Sequence, residues 1–204
     1  MSTDIKSSAV IKTTALDADG LSTAAAVGNN AALTLGGALT SGGSYTADTG
    51  TARQITLLSA GNDSGITFTV VGTDVNGDAL SETVTGANAG TATSTEYFAT
   101  VTSITAVGNP AGNMSAGTSV NVAGVVFKGP TRVKGLVWSG GGAVGTVSIR
   151  NTSTAGTSLI DVRSDPTLGV NAAINLPADG VLFDAGGYVT FAETDCNSVT
   201  VFHG

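Results

Sequence analysis

The chain has 204 residues and a formal net charge of −7, with 41% hydrophobic but only 11% charged residues. Ordinary soluble domains are roughly one-quarter charged; here Gly, Thr, Ser and Asn supply the polarity, and enough apolar residues remain to build a core, which excludes a disordered chain. Arg53 is the sole cation between Lys12 and Lys128, which leaves no basic stripe for nucleic acid, and no run of 18 apolar residues marks a membrane-spanning helix.

Residues 1–45 come first and read as an extended N-terminal arm. The opening MSTDIKSSAVIKTTALDADG has no uninterrupted apolar stretch of the kind a secretory leader needs. Asp19-Gly20 is placed to start a short helix over 21–27, which Gly28 and Asn29 would stop. The Gly-Gly pairs at 36–37 and 42–43 predict loop.

Residues 46–126 read as a first β-sandwich-like domain. Strands are predicted over 53–59, 66–73, 80–85, 97–107 and 119–126, separated by Gly61-Asn62-Asp63, Asn76-Gly77, 86–90, Asn109-Pro110 and Asn113. The clearest segment is 66–85. Ile66, Phe68 and Val70 alternate with Thr67, Thr69 and Val71, so one set is expected in a core and the other in water. Asn76-Gly77 then predicts a hairpin corner, the favoured pair there because both residues tolerate positive φ.

Residues 127–204 read as a second sandwich or jelly-roll-like domain, after a junction at Lys128-Gly129-Pro130. Seven short strands are predicted, over 132–138, 145–151, 158–163, 172–176, 181–183, 188–192 and 198–203. The fold class is therefore all-β, two small sandwich or jelly-roll-like units behind an arm. The first unit carries one cation against six anions and the second five against six.

Residues that carry chemistry are sparse. Cys196 is the only cysteine and His203 the only histidine, too few for a zinc site. A Ser or Cys nucleophile needs a base beside it, and His203, near the end of a strand, reads as a surface residue. Asp74-Val75-Asn76-Gly77-Asp78 partly matches the opening of a calcium loop, making Asp74, Asn76 and Asp78 weak calcium candidates. An EF-hand needs Gly at position six and Glu at twelve, and here those positions fail. Asp63, Asp74, Asp78 and Glu82 remain as a conceivable oxygen site of another kind. No cofactor motif and no catalytic set is read, so the chain is expected not to be an enzyme. Lys128, Arg132 and Lys134 form the only cationic cluster; with Trp138 they are the candidate partner-binding residues.

The stretch GNDSGITFTVVGTDVNGDALSETVTGANAGTATSTEYFATVTSI, residues 61–104, resembles a β-module of tailed-bacteriophage structural proteins. PTRVKGLVWSGGGAVGTVSIRN and LPADGVLFDAGGYVTFAETDCNSVTVFHG look like a second such module. The resemblance implies a virion protein made in the host cytoplasm. On this reading it is a capsid decoration, or cement, protein on the head surface, a trimer that bridges subunits of the major capsid protein. The alternative it leaves open is a tail or fibre module that binds a host receptor or glycan through Trp138 and the turn loops.

Overall fold

The computed structural model describes residues 4–12, 16–165, 167, 171–177 and 179–204. It is all-β: no α-helix occurs among these residues, and about 60% of the chain is strand. The chain forms two compact units. Unit 1 joins Met1–Lys12 to Asn121–Gly204, and unit 2 is Thr13–Val120. Strand β1 (Lys6–Ile11) opens unit 1, and the chain then enters unit 2.

Unit 2 holds β2 (Ser22–Ala26), β3 (Thr40–Ser41), β4 (Ser44–Thr46), β5 (Thr51–Ser59), β6 (Thr67–Thr73), β7 (Ala79–Thr85), β8 (Thr91–Thr93) and β9 (Thr100–Val107). It also holds the first half of the 16-residue strand β10 (Asn113–Lys128). One sheet runs β3-β4-β9-β6-β7, and a second group runs β8-β5-β10, with β2 also on β10. Phe68, Val70, Val101 and Ile104 from the first meet Ile55, Leu57, Met114 and Ala116 from the second in one buried cluster. Alternation is the reason: Phe68 and Val70 are fully buried while Thr67 and Thr69 are half-exposed, as one-sided strands require. Gly72 sits where a Cβ would lie 1.8 Å from the Thr100 carbonyl oxygen, so the β6–β9 pairing tolerates only glycine there.

The N-terminal segment is not an arm. Leu21, Leu33, Leu35 and Tyr45 lie in the unit 2 core, and the Leu33 N–H donates to Ile104 O at 2.8 Å. The helix expected over 21–27 is instead β2, which pairs antiparallel with β10 (Asn113↔Ala26, Met114↔Ala25). A ready strand partner outweighs a weak local helical preference.

Unit 1 is a sandwich of two antiparallel sheets. Its remaining strands are β11 (Thr131–Gly140), β12 (Gly145–Asn151), β13 (Ser158–Ser164), β14 (Asn171–Asn175), β15 (Val181–Phe183), β16 (Gly186–Ala192) and β17 (Cys196–His203). One sheet runs β1-β17-β11-β14, with β15 continuing the β14 edge on β11; the other runs β13-β12-β16-β10. Counting β14 and β15 as one interrupted strand, the order within the unit is first-eighth-third-sixth against second-seventh-fourth-fifth. That is the double Greek key of a jelly roll. Val10, Leu136, Trp138, Val199 and Val201 from one sheet pack on Val122, Phe127, Ile149, Val189 and Phe191 from the other.

The domain boundaries thus differ from those expected at 45 and 126. Unit 2 is inserted between the first and second strands of the jelly roll. The physical reason is the β1–β17 ladder, which runs in register from Lys6↔His203 to Ile11↔Ser198 and closes one edge of the sheet with residues about 190 positions away.

Candidate interaction surface

The insertion divides the charge unequally. Unit 2 carries one cation against eight anions, and unit 1 carries seven of each. The whole net charge of −7 therefore belongs to unit 2, and unit 1 is neutral.

Within unit 1 the β1-β17-β11-β14 sheet has a distinctive outer face. Register fixes which residues share it. Val10, Val199, Trp138 and Ala172 form one inward row. The rows on either side therefore point outward: Ala9, Thr200, Val137 and Ala173; Ser7, Phe202, Gly135 and Asn175; and Ile11, Ser198 and Ser139. None of these residues is charged. Ile11 is 61% exposed and Val137 37%. Exposed sheets usually carry Lys or Glu to prevent association, and an uncharged patch with protruding Ile and Val has the character of a protein-binding surface. Single-strand reading missed it because the face is assembled from four segments, each unremarkable alone.

The predicted partner residues do not gather there. Trp138 is 7% exposed and part of the sandwich core, because the inward row of β11 includes its position. It anchors the two sheets instead of presenting its ring. Arg132 Nη1 donates to the carbonyls of Asp179 and Gly180 at 3.2 and 3.4 Å, and Lys134 Nζ to Asp179 O at 3.2 Å. Both hold the turn that precedes β15. Lys128 lies apart from them, on β10, beside an open cleft.

The carboxylates that suggested calcium are engaged within the chain. Asp74 Oδ1 accepts from the Asn76 and Asp78 N–H groups at 2.8 and 2.9 Å, and Oδ2 from Asn76 Nδ2 at 3.3 Å. This Asx turn closes the β6–β7 hairpin. Gly77 alone takes positive φ, +87°, so the corner is not the mirror-image turn expected from Asn-Gly; its N–H donates to Asp74 O at 3.1 Å. Glu82 accepts from the Thr95 and Glu96 N–H groups at 2.8 and 3.0 Å. Asp63 is fully buried, accepting from Ser59 and from the Ala111 N–H. Among the described residues no three His, Cys, Asp or Glu side chains are placed to hold a metal ion. Replacing Asp74 by Ala is expected to cost about 1–2 kcal/mol, the penalty for orphaned turn donors. Calcium is expected to leave the melting temperature of the unmodified chain unchanged. Thermal denaturation with and without calcium measures both.

Cys196 and His203 are likewise structural in their surroundings. Burial pushes the Cys196 thiol up to about 11, so it is an inert thiol at neutral pH. His203 is only 7% exposed, not the surface residue expected. Its Nε2 lies 3.1 Å from Ser8 Oγ. Ser8 lies outside the lining of the neighbouring cleft. The contact fixes the ring.

No protein-family model matches the chain, and no curated protein matches it.

Proposed function

We propose that the chain is a structural protein of a tailed-phage virion that decorates the head and bridges neighbouring capsid subunits. The observation that carries this reading is the neutral jelly-roll unit, whose β1-β17-β11-β14 sheet turns three uncharged rows outward. Such a face meets another protein without desolvating charge, a cost that rim salt bridges repay poorly. Unit 1 supplies the shell-binding surface, and Ile11 and Val137 are its central contacts. Unit 2 carries the acidic charge that keeps decorated particles from associating. The resemblance of residues 61–104 and of the later stretches to phage modules supports the choice of a virion as the assembly, and a trimer is the proposed state.

The experiment is a binding assay on empty phage heads, with light scattering for the free oligomer. The chain is expected to attach saturably and in many copies per head. The double variant I11D/V137D is expected to bind at least about tenfold more weakly, with an unchanged melting temperature because both side chains are exposed. Absence of attachment, or attachment unaffected by these substitutions, overturns the reading. The tail-module alternative relied on Trp138 as a glycan contact, and its burial removes that support.

A further inference from the structure

We propose that the open end of the unit 1 sandwich binds a small hydroxylated carboxylic acid, of the sugar-acid class, between Lys6, Lys128 and His203. This inference is independent of the virion reading. It starts from a cleft of about 650 Å³ whose lining includes Asp4, Lys6, Phe127, Lys128, Thr131 and His203, together with Val126, Pro130 and Gly204.

The cleft arises from the strand pattern. Along β1 the inward positions run Val10, Ser8, Lys6, with Asp4 next beyond the strand. Lys6 and His203 are register partners, so they share the inward face. Farther along the same rows the sandwich is filled by Val10, Val199 and Val201. At this end the inward places pass to a cation and an imidazole. An apolar residue in place of the buried His203 would be cheaper for stability alone, since a polar group at an inward position costs desolvation unless it is satisfied.

His203 makes this a built site. The residue is 7% exposed. Ser8 engages Nε2 at 3.1 Å, and the Phe127 ring lies against the imidazole, 4.8 Å between centroids. The ring is held on both sides. Nδ1 has no protein partner among the described residues, and the residue lines the cleft. Lys6 and Lys128 add two of the chain's eight cations, and neither takes part in an ion pair with a described residue.

These groups select a ligand chemistry. Two ammonium groups and one imidazole nitrogen suit a carboxylate, which accepts charge-assisted hydrogen bonds from each. The Asp4 carboxylate accepts from hydroxyl groups, and the Thr131 hydroxyl donates or accepts. Phe127 offers an apolar wall. The volume falls within the roughly 300–1,000 Å³ of small-molecule sites and exceeds what an inorganic anion fills.

The site carries its own pH dependence. Burial, and then the charge of Lys6, lower the pKa of His203. The other charged groups lining the cleft are Asp4, Lys128 and the main-chain carboxylate of Gly204. A bound carboxylate opposes both causes and favours the imidazolium. Binding therefore takes up a proton, and affinity rises as pH falls toward the His203 pKa.

His203 is the only histidine, so its imidazole NMR signals report this site alone. The full chain is titrated with glucuronate, glucose and inorganic phosphate at constant ionic strength. Glucuronate is expected to shift the signals saturably and to raise the His203 pKa by roughly half a unit or more. Glucose should leave them in place, and phosphate should shift them weakly without saturation. K6Q/K128Q should abolish the glucuronate response, whereas K12Q, which removes a cation at the other end of β1, should retain it. All three lysines are exposed, so melting temperatures should match the unmodified chain. No saturable response to glucuronate, an equal response to phosphate, or a response surviving in K6Q/K128Q overturns the proposal.

Discussion

Deleting residues 1–12 is expected to unfold the jelly-roll unit. The deletion removes β1, whose six residues pair with β17 from Lys6↔His203 to Ile11↔Ser198. It withdraws Val10, 2% exposed, from the core, and Ser8 from its contact with His203. Burying one Val side chain is worth about 1.5–3 kcal/mol. With the ladder hydrogen bonds the loss is roughly 3–5 kcal/mol, a large part of the 5–15 kcal/mol or so that holds a domain. The deletion also bares the edge of β17, a template for aggregation. Calorimetry of residues 13–204 against the full chain should show the unit 1 transition lost or strongly lowered, with association of the truncated chain in light scattering. An unchanged thermogram would refute the assignment of β1 to the sandwich. A shorter deletion, 1–5, spares the ladder and should be nearly silent.

Arg53→Ala is the second large effect, and it falls on unit 2. Arg53 is 1% exposed, the largest fully buried side chain among the described residues. Its Nη1 donates to Ser119 O at 2.8 Å, tying β5 to β10, and its backbone pairs with Phe98 in both directions, at 3.0 and 2.8 Å. Burial pushes the nearby Tyr45 phenol up to about 12, against the opposing charge of Arg53. Truncation to Ala leaves a cavity and an orphaned carbonyl acceptor, a combined cost of roughly 3–5 kcal/mol. Arg53→Met fills most of the stem volume but leaves the Ser119 carbonyl unmet, so it should cost less than Arg53→Ala, roughly 1–3 kcal/mol. Chemical denaturation of both variants measures the difference. Equal midpoints for R53A and the unmodified chain would mean that the guanidinium contributes nothing to the core.

The two positions differ in how legible they were. Arg53 stood out as an isolated cation in a long acidic stretch, yet nothing local revealed that it is buried. A lone Arg reads as a surface residue because burying a charge is costly; backbone carbonyls offered by β10 change that balance. The segment containing β1 reads as an arm because the five residues of Ser, Ala, Val and Ile between Lys6 and Lys12 have no partner nearby in sequence. His203 and Trp138 were misplaced for the same reason. Their exposure depends on which face of a sheet their strand turns inward, and that depends on remote register.

The amino-acid sequence by itself determined the class of structure. Alternation over 66–85, Thr and Val in the strands and Gly or Asn between them give antiparallel β structure with little reactive chemistry, since side-chain period and turn preference are local properties. Twelve of the observed strands fall on predicted segments. Only the tertiary structure decided how the strands are shared out. It made the jelly roll discontinuous, with unit 2 between its first and second strands. It also brought together the three uncharged outward rows of one sheet, concentrated the net charge in unit 2 and left Lys6, Lys128 and His203 around one cleft. Each of these is a juxtaposition of residues far apart in the chain, set by ladder pairing and core packing, which leave no periodic signal in any one segment.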